Sequence, residues 1–315
     1  MTNQELLQEL SVKVESGEIT LGQVMEQLKT RKSSRFSLTK LLYLIGGLIA
    51  TLGIIFFVGQ IWEDLGSGGR IFITLILGLI LAGIGSSLLK TKPETHLGSV
   101  FHGIAGFLIP GGALVTLYEL GTYTGSVWPF VMVFGVIFLF YLLLNLYHQN
   151  VVLTLFGLGN GTAFIYLLVE AMVSGSASQH EVVYAYLTMV IGLSYLLLAY
   201  TFRTGWNRPL VGILNFLGSL AFFGAAFNRV IESELHVWEI VFFLLTIGGI
   251  YLAISLVRSR AVLLVSTLFL IAHFIYITFE YFGDSVSWPI LLVILGFIFI
   301  ALGYFSLSLN RKYLQ

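Results

Sequence analysis

Three glutamates end apolar segments of the chain, and their type and position favour the binding of a cation. Glu119, Glu170 and Glu280 close the runs ALVTLYE, AFIYLLVE and HFIYITFE. A carboxylate at the end of an apolar segment is costly unless it is hydrated, protonated or paired with a cation. A rim of such groups concentrates cations through its field, although simple hydration of acids at a polar boundary gives the same pattern.

Polar residues also interrupt the apolar runs at greater depth. An asparagine there either bonds to neighbouring backbone or offers its amide to a solute. A histidine either donates to a carbonyl or relays protons, because its charge changes near neutral pH. The sequence therefore predicts a solute-binding set with Glu119, Glu170 and Glu280 at the mouth, and Asn160, Asn215 and His273 further in.

Proline and glycine lie at a similar depth in two of these segments. Proline removes a helix hydrogen bond and glycine loosens the backbone. Broken helices at mid-membrane free backbone groups that can bind a solute, whereas a simple kink or a close packing face is the alternative. On the first interpretation we expect helix breaks at Pro110, Gly111, Gly112, Gly159 and Gly161.

Apolar stretches of about twenty residues, the length that crosses a bilayer core, carry all of these side chains. Hydrophobic residues make up 57% of the chain and charged residues 10%, against about 25% charge in soluble domains. The sequence predicts an all-α polytopic membrane protein with ten transmembrane helices. The expected spans, one to ten, are 41–61, 71–89, 99–117, 128–147, 151–173, 182–202, 209–227, 237–257, 261–281 and 288–309.

The basic residues predict the orientation of these spans. With the N-terminus inside, fourteen of the sixteen Lys and Arg residues fall on the inner side, and only Arg70 and Arg229 fall outside. This asymmetry indicates a cytoplasmic (plasma) membrane protein with both termini in the cytoplasm. The formal net charge is zero, so there is no basic surplus to bind nucleic acid.

Similar segments recur along the chain. Tyr141, Tyr195, Tyr251 and Tyr304 end similar even-numbered spans at separations of 54, 56 and 53 residues, and the FIYxxxE pattern recurs after 110 residues. These repeats predict about five copies of a helical hairpin, related by an axis near the membrane normal. The odd spans carry the glycines and polar groups, so we expect them to form the inner set and to line a cavity.

The N-terminal segment forms a separate predicted domain. Residues 1–36 have the pattern of a cytoplasmic helical hairpin and basic linker, followed by the ten-helix domain at 37–315. Its small apolar face predicts packing against a cytoplasmic protein, a second copy of the chain or the inner loops. The lipid bilayer is the other expected partner.

Motifs typical of enzymes are not found in the sequence. There is no cysteine, which excludes thiolate metal sites and cysteine nucleophiles. There is also no HExxH motif, phosphate-binding loop or nucleophile elbow. We therefore predict a protein without enzyme activity, catalytic residues, metal ligands or cofactor.

The segment from Glu15 to Lys90 resembles the bacterial membrane proteins grouped as domain of unknown function 2157. The resemblance is carried by SGEITLGQVMEQL and by GGLIATLGIIFFVGQIWEDL, which ends in Trp62-Glu63-Asp64. Ile61 departs from the pattern, because the family usually has Asn before this tryptophan. The resemblance covers about a quarter of the chain and implies a bacterial multi-pass protein of unassigned activity. Ten spans are also similar to the drug/metabolite transporter superfamily, whose inverted five-helix repeats conflict with the hairpin repeat.

Three functions are compatible with these features. The leading hypothesis is binding or translocation of a small solute, a cation or a lipid head group, through a cavity lined by the odd spans. The alternative is a structural or regulatory protein that acts through residues 1–35. A lipid flippase, which would need a lateral polar groove between hairpins, ranks third.

Overall fold

The computed structural model describes residues 62–313 apart from 93, 123–124, 174–176, 234–235 and 283–287, together with positions 11–14, 16, 45–46, 49, 52–53, 56–57 and 59–60. The chain divides into two units, Met1–Asp64 and Leu65–Gln315. In the first unit, the described positions 11–14 and all of those at 45–60 are helical. The predicted N-terminal hairpin and span one otherwise lie outside the described residues.

Every regular element among the described residues of the second unit is a helix. Eight of these helices are long and apolar enough to cross a membrane, so the chain is a multi-pass integral membrane protein. They match predicted spans two to nine, and a further helix matches span ten; we keep these span numbers. The helices are Ser67–Thr91, Leu97–Glu119, Trp128–His148, Val151–Met172, Ala177–Thr201, Val211–Glu232, Val237–Ser255, Arg260–Phe282 and Trp288–Tyr313.

Local sequence explains where several helices begin and end. The side chain of Asn150 caps span five by accepting a hydrogen bond from the backbone N–H of Val152 at 2.9 Å, which satisfies one of the free donors of the first turn. Span four begins with Trp128-Pro129, and proline is favoured at this position because it lacks an N–H. Gly205 has φ +102°, a conformation that glycine adopts without steric cost, and it turns the chain between spans six and seven.

Consecutive helices form four closely packed pairs: spans two and three, four and five, six and seven, and eight and nine. A short connection joins the two helices of each pair. We call the end of the bundle that carries Lys90, Arg203 and Arg258 the basic end. The opposite ends, with Glu119, Glu170, Glu232, Glu239 and Glu280, are called the acidic end.

The odd spans are more buried than the even spans, as the sequence predicted. Among spans two to nine, 28 to 44% of the central residues are buried in the odd helices, compared with 17 to 22% in the even helices. Phe223, Phe242 and Phe269 form part of the core between spans seven, eight and nine. The even spans therefore form most of the lipid-facing surface.

Spans three and five are continuous helices, so the expected breaks at Pro110, Gly111, Gly112, Gly159 and Gly161 are not present. Exposed backbone groups are very costly in hydrocarbon, which favours an intact helix around a single proline. Two of these glycines serve packing instead. A Cβ at Gly112 would lie 2.4 Å from the backbone nitrogen of Leu75, and a Cβ at Gly161 would lie 2.8 Å from the ring of Phe138.

Span two contains a π-helical turn, Phe72–Ile76, at the place where Gly112 packs against it. Such turns insert one residue into an α-helix and locally widen it. The missing side chain of Gly112 makes room for this wider backbone, and the two helices approach closely there.

Spans two to five and spans six to nine form two four-span groups. Among the described residues, the most extensive backbone contact between the groups joins span five to the short turn Arg208–Leu210. Side chains join the groups elsewhere. Val151 and Leu158 of span five pack against an apolar cluster that includes Leu214, and polar side chains make the contacts that build the candidate site.

Candidate functional site

A series of polar side chains connects the two four-span groups through span five. The hydroxyl groups of Thr162 and Tyr195 lie 2.7 Å apart, and those of Tyr166 and Thr188 lie 2.6 Å apart. At the acidic end the Tyr184 hydroxyl donates a hydrogen bond to the Glu170 carboxylate. Spans five and six are therefore joined by three side-chain hydrogen bonds.

The series continues at the basic end. The Thr154 hydroxyl donates to the side-chain oxygen of Asn207 at 2.8 Å, and it accepts from the Asn145 amide at 3.1 Å. Asn207 lies in the connection between spans six and seven, and its side chain is buried. This contact also joins one four-span group to the other.

Span five supplies these groups from one row of its surface. Thr154, Thr162, Tyr166 and Glu170 belong to a four-residue series in which Leu158 is the only apolar member. Residues four apart form a ridge along a helix and meet the same neighbour. From Thr154 to Glu170 the row extends about 24 Å at 1.5 Å per residue, most of a hydrocarbon core of about 30 Å. We call this row with its partners the polar seam.

A cavity of about 360 Å³ lies beside the seam at the acidic end, between spans six and seven. Its small residues, Ala185 and Ala225, leave room between the two helices. Tyr184 belongs to both the cavity and the seam, so Glu170 is one hydrogen bond away from the cavity. The lining residues are Glu181, Tyr184, Ala185, Thr188, Ala225 and Asn228.

The chemistry of this cavity favours a cation. Its polar groups are a carboxylate, two hydroxyls and an amide, and the ring of Tyr184 stacks with that of Tyr166 at 6.0 Å. The neighbouring Arg229 guanidinium lies 3.9 Å from the Glu232 carboxylate, which offsets its charge. Oxygen atoms and aromatic rings are suitable neighbours for a compact positive charge.

The three predicted glutamates have different surroundings. Glu119 forms an ion pair with Arg70 at 2.8 Å and so connects spans three and two. Glu170 belongs to the polar seam, whereas Glu280 is exposed near the end of span nine. The three therefore do not share a common set of contacts.

Asn160, Asn215 and His273 are all buried, but no hydrogen bond, ion pair or ring contact of the described residues joins them. The Asn160 amide donates to the Phe156 carbonyl of its own helix at 2.8 Å. The side-chain oxygen of Asn215 lacks a hydrogen-bond partner among the described residues. Asn160 thus makes a hydrogen bond to neighbouring backbone, which the sequence analysis gave as the alternative to binding a solute.

His273 packs in a largely apolar environment. Its ring lies 5.1 Å from that of Phe242, and neither ring nitrogen makes a hydrogen bond with a described residue. The Glu239 backbone is a neighbouring polar group, outside hydrogen-bond geometry. A buried polar group without a partner costs about 1–3 kcal/mol.

We therefore expect His273→Phe to raise the free energy of unfolding by about 1 kcal/mol. Thermal or SDS-induced unfolding of the purified protein would measure the change. His102→Phe is the matched comparison, because the His102 ring nitrogen Nε2 lies 3.2 Å from the Ser86 hydroxyl, and we expect that variant to be less stable. A destabilised His273→Phe would instead indicate that this ring has a polar role.

Most of the seam was missed by sequence reasoning. Glu170 was predicted, but Thr154, Thr162, Tyr166 and Tyr184 were not. The available signal was the four-residue spacing of polar side chains in span five, between Thr154 and Glu170. Of the opposing partners in span six, Tyr184 and Thr188 are also four residues apart, whereas Tyr195 follows seven residues later and departs from this spacing.

Comparisons with protein-family models, curated proteins and solved structures find no match to this chain.

Proposed function

We propose that this integral membrane protein binds a small cation at its acidic end and moves it along the polar seam between its two four-span groups. The observation that carries the proposal is the seam itself, in which hydroxyl, amide and carboxylate groups are distributed across most of the membrane thickness, with the apolar Leu158 between Thr154 and Thr162. Polar groups inside a membrane are expensive and typically mark solute pathways. The alternative from the sequence, a structural or regulatory protein that acts through residues 1–35, falls largely outside the described residues.

The arrangement of the two groups supports movement. The close helix pairs lie within each group, whereas the groups meet through side-chain hydrogen bonds and through an apolar cluster at the basic end, where Leu158 packs against Ala199 and Leu214. The groups can therefore shift against each other without disrupting the close pairs. Relative motion of two rigid bundles around a central site is the usual basis of alternating access.

The cavity indicates which class of cation fits. A volume of about 360 Å³ is at the small end of ligand sites, which range over roughly 300–1,000 Å³. It exceeds the needs of a bare ion and suits a compact organic ammonium. Glu181 and Glu170 would supply the opposite charge, and Tyr184 an aromatic face. The excess of basic residues at the other end supports placing the cavity on the outer side of a cytoplasmic membrane.

Calorimetric binding of choline to the purified protein tests this proposal. We expect Glu170→Gln and Glu181→Gln each to weaken binding about tenfold, or about 1.4 kcal/mol, because Glu181 lines the cavity and Glu170 accepts a hydrogen bond from the cavity residue Tyr184. Glu239→Gln is the matched control, since this acidic residue at the same end accepts a hydrogen bond from Tyr281 and does not line the cavity. Choline binding that is absent from the native protein, or equal in all variants, would refute the proposed site.

Flux measurements separate transport from binding alone. Uptake of choline into proteoliposomes should fall in Thr162→Val, which removes a seam hydroxyl without touching the cavity. A variant lacking residues 1–35 should retain uptake, because the seam lies within Leu65–Gln315. If the native protein bound choline but neither it nor any variant showed uptake, the protein would bind a cation without moving it. That result would contradict translocation.

A further inference from the structure

A second, apolar groove opens between spans six and eight and has a volume of about 430 Å³. Its walls are formed by leucines of the two spans, and Phe222 and Phe223 of span seven close its floor. Gly248 has no side chain on the span-eight wall of the groove. A Cβ at this position would have nothing within 4 Å, so the groove is open there. The groove is thus an open channel on the lipid-facing side of the helix bundle.

The groove covers the half of the bundle nearest the basic end. On span eight it runs from Leu244 to Leu256, a length of about 18 Å at 1.5 Å per residue. One leaflet contributes about 15 Å of the hydrocarbon core. The length and apolar lining therefore match one acyl chain of the leaflet at the basic end.

Arg203 lies at the mouth of the groove. Its guanidinium is 4.8 Å from the centre of the Tyr200 ring, and it donates a hydrogen bond to the Val257 carbonyl. Tyr200 and Val257 line opposite walls of the groove. The positive charge is therefore fixed directly beside the end of the apolar channel.

The surroundings of Arg203 are also positively charged. The connections 201–210 and 255–260 contain four arginines and no acidic residue. Guanidinium groups bind phosphate through paired N–H donors. A ligand with one apolar chain and an anionic phosphate would place its chain in the groove and its phosphate beside these arginines.

We infer that the groove binds one anionic phospholipid, with an acyl chain between spans six and eight and the phosphate on Arg203. The site is independent of the proposed cation cavity, which lies at the opposite end. The lipid enters the groove laterally, from the side that opens to the bilayer.

Native mass spectrometry of the full chain, extracted with an equimolar mixture of phosphatidylglycerol and phosphatidylcholine, tests the inference. We expect one retained phosphatidylglycerol in the native protein. Arg203→Gln should reduce the ratio of retained phosphatidylglycerol to phosphatidylcholine at least fivefold, and Arg203→Lys should preserve much of it. Lys92→Gln is the control, because Lys92 is an exposed basic residue at the same end of the other four-span group and does not line the groove.

A second variant tests the apolar part. Gly248→Leu should fill the groove and reduce retention of both lipids, whereas Gly83→Leu places the same side chain in open space on span two. Thermal unfolding of both variants establishes that the fold is intact. Equal ratios in Arg203→Gln and Lys92→Gln, or equal retention in the two leucine variants, would overturn the assignment.

Discussion

Gly112→Val should destabilise the protein by about 3 kcal/mol, since a side chain placed in a tightly packed interior forces its neighbours apart. A Cβ at Gly112 would lie 2.4 Å from the Leu75 nitrogen and 2.6 Å from the Thr74 carbonyl carbon. Both are backbone atoms of the π-helical turn, which cannot move aside as a flexible side chain could. Spans two and three must therefore separate, or the turn must change its structure.

The neighbouring glycine provides the control. Gly111→Val introduces the same β-branched residue into the same helix, but a Cβ there meets nothing within 4 Å. SDS-induced unfolding of the two variants should show the loss in Gly112→Val alone. Equal stability would contradict the close contact between these two spans.

Gly192→Val should destabilise the protein by a similar amount, about 3 kcal/mol, and should also abolish choline binding. A Cβ at Gly192 would lie 2.6 Å from the Phe222 nitrogen and 2.7 Å from the Gly218 carbonyl oxygen. Thr188, one turn away on the same helix, lines the proposed cation cavity. Separating spans six and seven at this crossing would therefore disturb the cavity walls.

Two measurements check this variant. Unfolding gives the stability, and calorimetry with choline gives the binding. The comparison is Gly212→Val in span seven, where a Cβ has nothing within 4 Å. If Gly192→Val had the stability and the choline affinity of the native protein, the close contact of Gly192 with span seven would be contradicted.

The general architecture could be predicted because it follows from composition and length. Long apolar stretches such as those ending at Glu119 and Glu170 must be helices in a membrane, since a helix satisfies its own backbone hydrogen bonds. The burial of the odd spans followed from their small and polar residues, which avoid lipid. These properties belong to each helix alone and require no knowledge of its neighbours.

The polar seam could not be predicted because its members depend on partners from other helices. A threonine such as Thr162 can equally bond to its own backbone, as Thr188 also does with the Tyr184 carbonyl. The error at Pro110 and Gly112 has a related cause. The sequence shows that a hydrogen bond is lost and a side chain is missing, but only the neighbouring helix shows that the missing side chain serves close packing.

Two links of the seam, Thr162 with Tyr195 and Tyr166 with Thr188, join one hydroxyl to another, and either oxygen can act as the donor. Rotation of the hydroxyl hydrogens would reverse the local dipole of each pair while the heavy atoms stay in place, and Thr188 would then exchange its hydrogen bond to the Tyr184 carbonyl for one to Tyr166. The pairs can therefore turn their oxygen lone pairs towards a positive charge on either side. These two links therefore impose no direction on a cation that moves along the proposed pathway, and the gradients across the membrane would set the direction of net movement.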